Sequence, residues 1–142
     1  MSGNQQRFVS FQKEIKLASD PDNLRVIEEV IEGLRDELNF KDDSYGNVMI
    51  ATTEAVNNGI IHGNLSDPSK EVTVFFESTT PYRISVSVED QGMGFDPEKL
   101  SDPTAPENIE NPGGRGVFIM KHLSDEISFL NQGRKVVMVF NI

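Results

Sequence analysis

The sequence contains no cysteine, which excludes a disulfide framework and any thiolate-held metal. It has only two histidines, His62 and His122, too few for a histidine-rich metal cluster. Basic residues are scarce: 13 Lys and Arg stand against 23 Asp and Glu, giving a formal net charge of −10. Phosphate-backbone binding needs a basic face, so no direct nucleic-acid partner is expected. No apolar run approaches the ~20 residues of a membrane span. Residues 1–7 are polar and lack the apolar core of a signal peptide. A soluble, cytoplasmic protein with no membrane partner is therefore expected.

What is present suits one compact domain over residues 1–142 with a two-layer core, at 37% hydrophobic content. Val9, Phe11, Ile15 and Leu17 share one parity, so a strand is expected over 8–17. Asp20 and Pro21 open a helix, as cap and first helical residue. Leu24, Ile27, Val30, Ile31, Leu34 and Leu38 carry it to about Asn39. A second helix begins at Asp42-Asp43-Ser44. Its stripe is Val48, Ala51, Ala55, Asn58 and Gly59, with Ile50, Val56 and Ile60 adding bulk. It is expected to end near His62, with Gly63 as a left-handed cap.

Two strands are expected over 71–77 and 83–90. Residues 95–112 carry four prolines and read as a long loop. A helix over 115–123 and a closing hairpin around Asn131-Gln132-Gly133 complete the chain. The order β, α, α, β, β, loop, α, β, β does not alternate as a doubly wound sheet would. It fits an α+β, two-layer sandwich: a mixed, mostly antiparallel sheet with helices on one face.

Three segments carry chemistry. Glu54 and Asn58 lie four apart and point the same way from one helix. A carboxamide oxygen suits Mg²⁺ without repelling a triphosphate, and the carboxylate beside it is placed to take a hydroxyl proton. Asp90 ends a strand and is followed by Gly92 and Gly94. A carboxylate there accepts a hydrogen bond from the amine of adenine, and glycines let a flat base approach the backbone. Gly114, Arg115, Gly116 and Val117 open the third helix, whose N-terminus favours an anion. In isolation each segment is ordinary: a polar helix face, a turn, a loop end. Their order and spacing together point to Mg-ATP. No Walker loop or dinucleotide fingerprint occurs. His62 and His122, each near a helix C-terminus, read as structural or surface residues. Ser44, Ser66 and Ser124 have no base-plus-orienter pattern around them.

With these segments the chain resembles the GHKL ATPase/kinase superfamily and its Bergerat nucleotide-binding fold. Glu54 to Asn58 matches the N box, Asp90-Gln91-Gly92-Met93-Gly94 the first glycine box and Gly114-Arg115-Gly116 the second. The run Ile60-Ile61-His62-Gly63, and Gly116-Val117-Phe118-Ile119-Met120 followed by Ser124-Asp125-Glu126-Ile127, resemble bacterial anti-sigma factor serine-protein kinases. The resemblance covers about residues 8–140. It implies ATP and Mg²⁺ as cofactors, with Asn58 holding the metal and Glu54 as general base on a serine of an anti-anti-sigma (STAS-type) partner. It implies Asp90 reading adenine beside Gly92 and Gly94, a lid over about 95–113, and Gly114 to Val117 around the phosphates. A sigma factor as second partner and a homodimer are further implications. Such proteins often carry Thr after the glycine of the last hairpin, whereas Arg134 and Lys135 follow Gly133 here. Two other readings compete: a non-catalytic, nucleotide-gated module regulating a transcription-factor partner, and a detached histidine-kinase catalytic domain. The latter needs a phosphoacceptor helix pair that the sequence does not display.

Overall fold

The computed structural model describes residues 9–94 and 114–142. Five strands form its sheet: β1 (Phe11–Ala18), β2 (Glu71–Thr80), β3 (Arg83–Glu89), β4 (Glu126–Leu130) and β5 (Lys135–Asn141). Three helices pack with it: α1 (Leu24–Leu38), α2 (Asp42–Asn58) and α3 (Gly114–Leu123). Spatial order is β1-β2-β3-β5-β4. Every pairing among the described strands is antiparallel, so the mixed character expected of the sheet is not found there. The reason is local. The α1–α2 hairpin returns the chain to the end of the sheet it left, so β2 runs back beside β1 rather than along it.

Alternation decides which face is covered. Val72, Val74 and Phe76 of β2 and Ile84, Val86 and Val88 of β3 are buried, while their intervening neighbours are half-buried. Val136, Met138 and Phe140 extend the same face across β5. Against it lie Ile27, Ile31 and Leu34 from α1, Val48, Ala51, Ala55 and Val56 from α2, and Val117 and Met120 from α3. Ile50, expected to add bulk, is instead 49% exposed, because it lies on the side of α2 away from the sheet.

Asp20 caps a short 3-10 turn, Pro21–Asn23, accepting from the Asp22 N–H at 2.9 Å; that turn feeds α1. Asn39 closes α1 in the left-handed region at φ 58°, as an Asn tolerates. At the start of α2 the capping position is Lys41, without a side-chain cap, while Asp42 and Asp43 occupy the first turn. There their charge complements the helix dipole.

Candidate nucleotide site

The end of α2 is not a simple stop. Residues Gly59–Gly63 form a π-helical turn, a local widening often found at functional sites. The Asn64 N–H donates to the Gly59 carbonyl at 2.8 Å, and the Ser66 N–H to that of Ile60 at 2.7 Å. The left-handed residues are Leu65 (φ 52°) and Ser66 (φ 55°), not Gly63. Gly63 is required for a different reason than the expected cap. A Cβ there would lie 2.4 Å from the Asp90 carboxyl carbon, so the absent side chain makes room for that carboxylate. Gly92 stacks on the same point, where a Cβ would meet the Gly63 carbonyl oxygen at 2.0 Å.

Asn64 holds this junction together from inside the protein, where it is fully buried. Its Nδ2 donates to Ser19 Oγ at 2.8 Å and to the Glu71 carbonyl at 3.0 Å. Its Oδ1 accepts from the Gln91 N–H at 2.8 Å. The end of α2, the entry to β2 and the exit of β3 are thereby tied to one amide. Nothing in the local sequence marks Asn64 for this role: a lone Asn after a helix looks like any loop residue.

Beside that junction lies a cavity of about 290 Å³. Its floor is apolar, with Ala55, Val88, Val117, Met120, Phe129 and Val136 in the wall. Its polar groups are few: Asn58, His62, Asp90 and Arg134. An apolar slot with sparse, convergent polar groups is the usual form of a small-molecule site. Of the residues singled out in the sequence, Asn58, Asp90, Gly94 and Val117 line it. Gly92 stands behind Asp90, its N–H donating to Asp90 Oδ1 at 2.8 Å. Gly116 is buried against Asn58, and a Cβ there would come within 2.6 Å of the carboxamide nitrogen. Glu54 lies one helical turn from Asn58 on α2, half-exposed and outside the cavity wall. Gly114 is buried and Arg115 exposed in the first turn of α3, neither in the wall. The lid expected over 95–113 lies outside the described residues.

Burial pushes the Asp90 carboxyl above the usual carboxylate range, while the Gly92 N–H and the charge of Arg134 pull it back in part. Asp90 lines the apolar cavity, and among the described residues no hydrogen bond reaches its Oδ2, which leaves that oxygen as an acceptor. Such an atom fits the exocyclic amine of a purine. Asn58 fits a cation that takes most of its ligands from phosphates and water, since it offers one neutral oxygen. Among the described residues no group of three His, Cys, Asp or Glu gathers into a protein-built metal cage. His62 lines the cavity, whereas His122 is exposed and stacks on Phe118 with ring centroids 6.2 Å apart.

The fold is that of an ATPase domain. Residues 17–140 match the histidine kinase-like ATPase domain, and the chain belongs to that family. It is similar to the serine-protein kinase RsbW of Oceanobacillus iheyensis, with 26% identity over 89% of this chain and 83% of the relative. It is also similar to the RsbW of Bacillus subtilis, at 28% identity over 83% and 77% of the two chains. The anti-sigma F factor of Clostridium perfringens is 35% identical over 64% of this chain and 68% of its own. A crystal structure of the RsbU and RsbW domains of a Mycobacterium tuberculosis protein superposes with a TM-score of 0.64 at 14% identity. That match covers 92% of this chain but 32% of the longer one, and it shows the fold.

Proposed function

We propose that this chain is an anti-sigma factor with serine-protein kinase activity, using Mg-ATP to phosphorylate a serine of an anti-anti-sigma (STAS-type) partner. The observation that carries the reading is Asp90, with Oδ2 unbonded among the described residues, in the wall of an apolar cavity that Asn58 also lines. The relatives named serine-protein kinase and anti-sigma F factor support the choice of activity and partners. Among the described residues no helix is long and apolar enough to cross a membrane; cytoplasmic action is part of the proposal. A homodimer is part of the same reading.

In this mechanism Asp90 accepts the adenine amine, and Gly94 lines the base pocket beside it. Val117 and the apolar floor pack its faces. Gly116 lets α3 approach Asn58, so that the carboxamide oxygen and the N-terminal turn of α3 converge where the phosphates lie. Mg²⁺, held through Asn58 when bound, supplies positive charge against the phosphate oxygens. Glu54, a turn away and open to solvent, takes the proton of the acceptor serine. The serine oxygen forms its bond to the γ-phosphorus as the bond to the ADP oxygen breaks. The half-exposed position of Glu54 suits this role, because the acceptor arrives on another protein rather than inside the cavity.

The test uses the purified chain with γ-labelled Mg-ATP and a lysate of its source organism. Acid-stable label is expected on a small second protein. Glu54→Gln is expected to lower that transfer about 10²–10⁴-fold with ATP affinity unchanged. Transfer at the wild-type rate in that variant would remove Glu54 from the mechanism. ATP binding without any transfer would leave the nucleotide-gated binding module as the function.

A further inference from the structure

The turn that joins β4 to β5 is conformationally unusual. Three successive residues, Asn131 (φ 53°), Gln132 (φ 60°) and Gly133 (φ 86°), lie in the left-handed region. Two of them carry side chains, an arrangement that costs energy and survives only when its surroundings hold it. The surroundings here are the nucleotide site. Asn131 Nδ2 donates to Glu89 Oε2 at 2.6 Å. Gly94, itself at φ 83°, packs so closely that a Cβ on it would lie 2.3 Å from the Gln132 carbonyl oxygen. The turn is thus clamped to the residues on either side of Asp90.

Its product is the placement of Arg134. The Arg134 carbonyl accepts the Asp90 N–H at 2.9 Å. The Arg134 Nε donates to the Asn131 carbonyl at 3.0 Å, and Nη2 reaches Gln132 Oε1 at 3.5 Å. Its stem lies against Gly94, with Cγ at 3.5 Å from where a Cβ would be. Arg134 and Asp90 line the same cavity, yet they form no ion pair within 4 Å. The guanidinium is tethered near the carboxylate and off it. A direct pair would fill the oxygens that a ligand needs, and a distant charge would do nothing.

We propose that Arg134, held by the left-handed 131–133 turn, is a positioning residue for the nucleobase, keeping Asp90 in its charged, accepting form while leaving Oδ2 open to the exocyclic amine. This rests on the ATP-binding reading above. The groups that bear on Asp90 are Arg134, the neighbouring Glu89, Lys70 and the Gly92 N–H, with His62 across the cavity. Burial raises the Asp90 pKa, and Arg134 is the foremost side-chain charge acting against that rise. Protonated Asp90 is a weaker, neutral acceptor and sets an O–H donor against the donor amine, so adenine affinity falls on the acid side of its titration.

The experiment is calorimetric titration of the full chain with ATP across an acid-to-neutral pH series. Purine riboside triphosphate, which lacks the 6-amino group, is the control ligand. For the wild type, ATP affinity should fall toward acid while that of the control changes less, since only ATP presents an amine to Asp90. In Arg134→Gln the acid limb for ATP should move to higher pH, with a several-fold loss of affinity on that limb. In Arg134→Lys, which keeps the charge, the limb should stay near the wild-type position. A limb that does not move in Arg134→Gln, with ATP still bound and the thermal melt intact, would overturn the role of Arg134 alone. No ATP binding by the wild type would overturn the nucleotide reading and this inference with it. If Arg134→Gln unfolds, Arg134→Met, which keeps the apolar stem against Gly94, takes its place: a displaced limb supports the role and an unmoved one overturns it.

Discussion

Burial of Asp90 works against stability at neutral pH. Its carboxyl is pushed above the usual carboxylate range by burial, so the folded chain holds this proton more tightly than the unfolded chain. The contribution of the group to stability is therefore complete below the unfolded value and is lost as pH rises through the folded one. Asp90→Asn keeps an oxygen to accept the Gly92 N–H but has no charge to desolvate. Its melting temperature at neutral pH should equal or exceed that of the wild type, and its stability should change less across the acid window. ATP affinity should drop by about 1–3 kcal/mol for the lost charged acceptor. An Asn variant that binds ATP at full strength would show that adenine is not read there.

Thr52 is a different kind of residue. It is fully buried in α2, and its Oγ1 has no hydrogen-bond partner among the described residues. Thr52→Val keeps the shape and removes the unpaired hydroxyl, so stability should rise by about 1 kcal/mol. Chemical denaturation would read this directly; a loss of stability would mean that the hydroxyl has a partner in solution.

At the level of elements, α2 does most to build the site. Its first turns pack on α1 and the sheet. Asn58 closes its last turn at the cavity, and the π-helical segment beyond it sets Gly63 beneath Asp90. A regular α-helical end would place Gly63 differently, because each π turn inserts one residue and rotates the chain beyond it. Gly63→Ala tests this coupling. Its methyl group would overlap the Asp90 carboxylate at 2.4–2.7 Å, so either the π turn or Asp90 must shift. We expect ATP affinity to fall at least about tenfold and stability by roughly 1–3 kcal/mol. Wild-type affinity in this variant would show that the contact relaxes without consequence. The hairpin of β4 and β5 contributes the opposite wall, and Arg83 of β3 pairs with Glu126 of β4 across β5.

For the whole molecule, the net charge of −10 sets a field that opposes the approach of an anionic nucleotide. In the proposed complex the N-terminus of α3, Arg134 and the cation carried with the phosphates act against that field. Added monovalent salt screens the long-range repulsion while leaving short-range contacts largely intact, since the Debye length shortens from about 30 Å at 0.01 M to about 10 Å at 0.1 M. The association rate of Mg-ATP should therefore rise modestly over that range. A falling rate would indicate that the cavity mouth is locally positive and that the global charge is irrelevant to encounter.

Much of the architecture was legible from periodicity. The alternation in β2, β3 and β5 and the 3.6-residue spacing in α1 specify those elements, because a buried face must repeat at the period of its own backbone. The residue types Glu54, Asn58, Asp90, Gly92, Gly94 and Gly116 were visible as well, since each stands in a short local pattern. What the sequence could not express was which segments meet. The π turn, the role of Gly63 as space for Asp90, the knot around Asn64 and the placement of Arg134 all arise where residues far apart in the chain come within bonding distance. Hydrophobic patterning acts along the chain and is written in it. Close packing acts across the chain, and only the tertiary structure decides whether a glycine is a turn or the space left for a carboxylate.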